Sequence, residues 1–88
     1  MERTRLYVGD LAASVTEQEL GDLFGQIGKV ETIELITRPS QIPFAFIVMA
    51  SPEMAQQGIT QFNGYRLAGA RLIVYAVPPR GSGPRNRS

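Results

Sequence analysis

The sequence contains no cysteine and no histidine. It therefore lacks soft metal ligands, a thiol nucleophile and the side chain that titrates most readily near neutral pH. Carboxylates remain, but they fall mainly at predicted helix starts or on predicted surfaces, where solvated charge is the expected role. We therefore expect no enzyme activity, and no catalytic, cofactor-binding or metal-binding residues. The carboxylates considered are Glu17, Glu19, Asp22, Glu31, Glu34 and Glu53.

Long apolar runs are also missing, so no segment approaches the length of a membrane span. The first five residues lack the apolar stretch of a signal peptide, and the expected location is the cytoplasm. At 88 residues with 43% hydrophobic side chains, the chain has room for one domain with a single two-layer core. We expect a monomer without a membrane partner or a small-molecule substrate.

Charge is distributed unevenly between the two parts of the chain. Residues 78–88 carry a charge of +3, whereas residues 1–77 contain six basic and eight acidic side chains, a net charge of −2. The last segment is rich in Pro, Gly, Ser and Arg, which predicts a disordered basic tail after a folded domain of residues 1–77. Arg80, Arg85 and Arg87 give this tail its charge, which suits the capture of phosphates.

Two helices are predicted from capping signals. Thr16 and Glu19 form a capping box before an apolar stripe, and Gly28 is predicted to end that helix in the left-handed conformation. Ser51 is the predicted N-cap of the second helix, which residues 63–64 close.

Four strands are predicted around these helices, at residues 4–9, 30–37, 44–50 and 71–77, with a tight connection at residues 67–70. The order is β-α-β-β-α-β. Because helical crossovers are right-handed, this order favours an α+β, ferredoxin-like fold. Its four-stranded antiparallel sheet has the spatial order 4-1-3-2, with both helices on one face, so the first and third strands lie at the centre.

The two central strands carry aromatic residues at a period of two. Tyr7 in the first strand and Phe44 and Phe46 in the third are predicted to share one face, opposite the aliphatic side chains between them. Exposed aromatic rings on a stiff sheet provide a surface on which planar groups can stack.

These two segments resemble the signatures of the RNA recognition motif family. Residues 6–11 (LYVGDL) resemble its six-residue signature, with Asp10 in place of the usual Asn, and residues 42–49 (IPFAFIVM) resemble its eight-residue signature. The similarity extends over about residues 4–77, and small one-domain bacterial proteins, particularly cyanobacterial ones, have this form. It implies that Tyr7 and Phe46 each stack one base of single-stranded RNA, while Phe44 lies against the sugars.

The second signature departs from the family pattern at its first two positions. Ile42 replaces a basic residue and Pro43 replaces a glycine, which removes one phosphate contact and stiffens the loop. Arg38 is a candidate substitute for that contact. Arg5 is a candidate phosphate ligand on the same face as Tyr7, although a solvated surface arginine fits the pattern equally well.

Tyr75 on the fourth strand and Arg80 in the tail complete the predicted RNA-binding residues. Single-stranded DNA is a possible second ligand. An alternative function is a protein-interaction module that uses the sheet face or the helical face, since Ile42 and Pro43 weaken the RNA signature. A small phosphatase of the acylphosphatase type is disfavoured, because residues 10–15 lack the glycine-rich loop with an arginine that such chemistry needs.

Overall fold

The computed structural model describes residues 4–78. The predictions for Arg80 and for the basic segment lie outside the described residues. Along the chain the elements are β1 (Arg5–Gly9), α1 (Glu17–Gly25), β2 (Val30–Ile36), β3 (Phe44–Met49), α2 (Pro52–Phe62), β4 (Arg66–Leu67), β5 (Ala70–Arg71) and β6 (Ile73–Val77). Among the described residues no helix is long and apolar enough to cross a membrane.

The main sheet has four antiparallel strands in the order β2-β3-β1-β6. Taken from the other edge, this is the predicted order 4-1-3-2, so the predicted fold class is confirmed. Strands β1 and β3 are the central pair, with Tyr7 directly opposite Phe46. The two aromatic segments therefore lie side by side.

The core lies between one face of this sheet and the two helices. It combines alternate residues of the strands with the inner stripes of α1 and α2, and its largest buried side chain is Phe24, which meets Phe62 edge to face at 4.9 Å. A register shift between Val30 and Thr32 lets Val30, Ile33 and Leu35 all pack against the core. The other sheet face is left for the aromatic rings.

The predicted helix starts are confirmed, but one predicted helix end is wrong. Thr16 and Glu19 exchange both hydrogen bonds of the capping box, and the Ser51 hydroxyl accepts a hydrogen bond from the Met54 N–H. Helix α1 ends at Gly25, and Gly28 is not in the left-handed region. A Cβ at Gly28 would lie 2.5 Å from the Met54 sulfur, so this glycine allows close packing rather than a left-handed turn.

A short hairpin occupies the predicted tight connection. Ala68 and Gly69, between β4 and β5, have φ angles of 54° and 86°, which is the positive-φ pair of a two-residue hairpin turn. The fourth long strand, β6, therefore starts at Ile73 rather than at Arg71. Asn63, at the end of α2, accepts a hydrogen bond from the Val74 N–H at 3.0 Å and fixes β6 against that helix.

Candidate nucleic-acid interface

Strand pairing arranges the outward side chains of the sheet in rows. The central row crosses all four strands: Glu34 is opposite Phe46, Phe46 is opposite Tyr7, and Tyr7 is opposite Tyr75. These residues project outward because their strand neighbours are in the core, and directly opposite side chains have Cβ atoms about 4.5–5.5 Å apart. Three aromatic rings and one carboxylate thus lie in line across the sheet.

Phe44 joins these rings from the next row. The Tyr7 ring is stacked on that of Phe44, with centroids 5.7 Å apart and planes inclined by 27°, and on that of Tyr75 at 4.9 Å and 24°. Phe46 meets both Tyr7 and Phe44 edge to face, at 5.9 Å and 5.8 Å. We call Tyr7, Phe44, Phe46 and Tyr75 the aromatic platform. Tyr75 is 49% exposed, while the other three are half-buried by their neighbours and one another.

Gly9 determines how the Tyr7 ring lies on the sheet. A Cβ at Gly9 would stand 2.6 Å from Cε2 and 2.7 Å from the phenol oxygen of Tyr7. The ring therefore leans along the strand and covers the glycine two residues further on. Because only a residue without Cβ leaves this space, Gly9 allows Tyr7 to lie flat.

The Tyr7 phenol is uncharged at neutral pH. Burial raises its pKa above the ordinary value for tyrosine, and the neighbouring Tyr75 and Asp10 add to the increase. A neutral ring suits a surface that meets a polyanion, since a phenolate would repel phosphate.

Arg5 lies over the platform. Its guanidinium carbon is 3.9 Å from the centroid of the Phe46 ring, within the range of a cation–π contact, and its Nη1 donates a hydrogen bond to the Pro78 carbonyl at 3.3 Å. The structure thus places the candidate phosphate ligand on one of the rings predicted to stack a base, and near the point where the basic segment begins.

Apolar side chains flank the central row. Ile36 is opposite Phe44, and Ile73, which is 41% exposed, is opposite Gly9. On the other side, Arg5 is opposite both Val48 and Val77. The face offers a broad apolar area with few charges, which suits stacking better than extensive hydrogen bonding to bases.

The loops beside the platform are held by backbone contacts. The Pro43 carbonyl accepts a hydrogen bond from the Leu11 N–H at 3.2 Å, so the residue that replaces the family glycine still connects β3 to the end of β1. Asp10 adopts a φ of 59°, a conformation that Asp and Asn tolerate better than most residues. Ile42 is 65% exposed. The apolar residue at the basic signature position therefore faces solvent.

The structure brings together five of the seven predicted site residues on one face: Arg5, Tyr7, Phe44, Phe46 and Tyr75. Arg38 is exposed in the loop after β2, beyond the last paired residues of that strand. Arg80 lies outside the described residues. The sequence interpretation missed the role of Gly9, although a glycine two residues after a platform ring was visible in the first signature. Among the described residues, no group of three or more acidic, Cys or His side chains could hold a metal ion.

Comparison with known proteins identifies relatives of this chain. It is 40% identical over 84 residues to serine/arginine-rich splicing factor 9 of Rattus norvegicus, which covers 92% of this chain and 38% of the relative. It is 38% identical over 90 residues to the chloroplastic RNA-binding protein CP31B of Arabidopsis thaliana, covering 98% of this chain and 31% of the relative. The chain thus spans about a third of the length of these curated relatives.

The fold is also found in solved structures. A structure described as a Sxl-lethal protein/RNA complex has a TM-score of 0.79 and 28% identity, covering 92% of this chain and 50% of that one. The family model described as the RNA recognition motif matches residues 6–73, which include all but the first residue of β1, both helices and the start of β6. This chain therefore belongs to the RNA recognition motif family.

Proposed function

We propose that this domain binds single-stranded RNA by stacking bases on the aromatic platform, with modest sequence specificity. The observation that carries the proposal is the outward position of Tyr7, Phe44 and Phe46 on adjacent central strands, with centroids less than 6 Å apart. The named relatives are an RNA-binding protein, a splicing factor and a protein in complex with RNA. These descriptions support the same class of ligand.

The platform fits two nucleotides. Tyr7 and Phe46 each offer one ring to a base, and Phe44 lies where the sugars between those bases pass. A stacked base contributes about 1–3 kcal/mol, so two stacks alone give weak binding once the costs of association are included. Tyr75, Arg5, Arg38 and Arg80 are the proposed sources of further affinity, through a third stack and through phosphate contacts.

The proposed function is that of a binding module and not of an enzyme. Its ligand is a polymer that the protein holds without changing a covalent bond, and the site described above consists of rings, one arginine and one glutamate. The predicted cytoplasmic location stays a prediction, because the relatives include a chloroplast protein. The predicted monomer and the resemblance to bacterial proteins likewise stay predictions.

The test is a fluorescence titration of short single-stranded RNA with the wild type and with Phe46→Ala. Loss of one stack should weaken binding by about 1–3 kcal/mol, or roughly 5- to 150-fold. Tyr65→Ala is the matched control, because Tyr65 is also an exposed aromatic residue but lies between α2 and β4. Unchanged affinity of a folded Phe46→Ala variant would contradict the stacking mechanism.

Salt separates RNA binding from the alternative of protein docking on the same face. Binding to single-stranded RNA should weaken with salt, with a slope of about −0.7 for each phosphate contacted, whereas apolar docking should be almost indifferent to salt. Titration with DNA of the same sequence tests whether the 2′-hydroxyl contributes, since equal affinities would show recognition of bases and phosphates alone.

A further inference from the structure

The short hairpin of β4 and β5 places two arginines side by side. Arg66 is directly opposite Arg71 in the strand register. One residue further from the turn, the Leu72 N–H donates a hydrogen bond to the Tyr65 carbonyl at 2.8 Å. Hydrogen-bonded and non-hydrogen-bonded pairs alternate along antiparallel strands, so Arg66 and Arg71 form a non-hydrogen-bonded pair, in which the side chains lie closest. We call them the arginine pair.

Both members of the arginine pair project into solvent. Leu67 packs against the core and Leu72 is 1% exposed, so Arg66 and Arg71, which precede them, point the other way and are exposed. Within residues 4–78, neither guanidinium takes part in a hydrogen bond or an ion pair. Like charges directly opposite each other destabilise a strand pair. An anion held between the two groups would offset this repulsion.

The arginine pair continues the outward row of β6. Leu72 and Val74 belong to the core, whereas Ile73 and Tyr75 are 41% and 49% exposed. This alternation places Arg71 on the same side as Tyr75, about 13 Å away along a strand that rises about 3.3 Å per residue. An RNA strand that stacks on Tyr75 and leaves the platform at this end of β6 therefore passes Ile73 and reaches the arginine pair.

We propose that Arg66 and Arg71 together hold one phosphate of the RNA backbone next to the platform, at the end of the sheet where β6 begins. This inference rests on the proposed function and adds a contact to it. A guanidinium binds phosphate through two parallel N–H···O bonds, and two guanidiniums reach more than one oxygen of the same phosphate. A contact to the backbone does not depend on the base, so it favours any RNA long enough to extend past the platform.

The test compares a uridine dinucleotide with a uridine oligomer of about eight nucleotides, within the usual range for single-strand sites. The variant carries both Arg66→Gln and Arg71→Gln. Each phosphate contact contributes about −0.7 to the salt slope, so losing one should reduce the slope by about 0.7 and weaken binding of the oligomer about fivefold at ~0.1 M salt relative to ~1 M. Fluorescence titration measures this Kd. Binding of the dinucleotide, followed by backbone-amide chemical shifts, should not change, because it covers only Tyr7 and Phe46.

Lys29→Gln is the matched control for Arg71→Gln alone. Lys29 is an exposed residue directly before β2, at the other edge of the sheet, and its substitution removes the same charge. Arg71→Gln should weaken binding of the oligomer more than Lys29→Gln does. Equal losses in these two variants would show only general attraction of a polyanion, and an equal loss for the dinucleotide would show an effect on the platform itself. Either result would overturn the proposal.

Urea denaturation checks that the fold is retained. Because the two like charges oppose each other, Arg71→Gln should leave the free energy of unfolding unchanged or raise it. A lower free energy of unfolding would show that the arginine pair supports the hairpin instead, which would contradict the proposal.

Failure of this inference differs from failure of the proposed function. If the double variant binds the oligomer as the wild type does and Phe46→Ala still weakens binding, the phosphate contact is wrong while stacking stands. If the oligomer does not bind, or if Phe46→Ala has no effect, the proposed function itself is wrong.

Discussion

Replacing Gly9 by alanine tests how the backbone of β1 positions the platform. The added Cβ would lie 2.6 Å from Cε2, 2.7 Å from the phenol oxygen and 2.9 Å from Cζ of Tyr7. Unbonded carbon atoms prefer a separation of about 3.5–4.0 Å, so the ring must move by about 1 Å or rotate away. All three atoms are at the free end of the side chain, so the ring yields more readily than the strand does.

The expected result is weaker RNA binding with little change in stability. Tilting Tyr7 disturbs its stacks on Tyr75 and Phe44, and loss of one base stack corresponds to about 1–3 kcal/mol, or roughly 5- to 150-fold in Kd. The lost ring contacts cost about 0.5–1.5 kcal/mol of folding stability. The change from glycine to alanine within a strand stabilises the fold by about 0.5–1 kcal/mol. This gain and the loss from the ring contacts nearly cancel in the free energy of unfolding.

Fluorescence titration and urea denaturation of Gly9→Ala measure these two quantities. Gly25→Ala is the matched control, because a Cβ at Gly25 meets nothing within 4 Å. The same change in a Tyr7→Ala background should have almost no further effect on Kd, since the clash is then absent. Wild-type affinity of Gly9→Ala, or an equal loss in the Tyr7→Ala background, would refute the role assigned to Gly9.

Two further predictions concern stability. Asn63→Ala should lower the free energy of unfolding in urea by about 1–3 kcal/mol, because the Val74 N–H, in a residue only 2% exposed, loses its acceptor. The Kd for RNA should not change. An unchanged free energy of unfolding would contradict the importance of this bond. Because the raised pKa of Tyr7 favours the neutral phenol in the folded state, the stability that it contributes is present below pH ~10 and is lost as the pH rises through the folded-state pKa. Tyr7→Phe should remove this alkaline decline, and identical pH profiles of the two proteins would contradict it.

The fold and the position of the platform could be predicted because local signals agreed with one another. The capping box at Thr16, the alternation around Phe46 and the order of elements all indicated the same sheet with the same two central strands. Alternation at a period of two fixes the face of a side chain once its neighbours are apolar. The outward position of Tyr7, Phe44 and Phe46 followed from this rule.

Other features depend on contacts between distant residues, which a single sequence does not reveal. The close packing of Met54 on Gly28 joins two elements far apart in sequence, so the glycine resembled a helix end instead. The left-handed conformation of Ala68 is unusual for alanine and gave no signal for the hairpin. Arg5 could reach solvent, a phosphate or a ring, and its position over the sheet follows from contacts with its diagonal neighbour Phe46 and with the Pro78 carbonyl.

The central claim is that the sheet face, and not the helical face, is the RNA-binding surface. Chemical-shift mapping of backbone amides during titration with short single-stranded RNA tests it most directly. We predict the largest changes in β1 and β3, at and beside Tyr7, Phe44 and Phe46, with little change in α1 and α2. Changes concentrated in the helices, or no changes at RNA concentrations that saturate related domains, would contradict the claim.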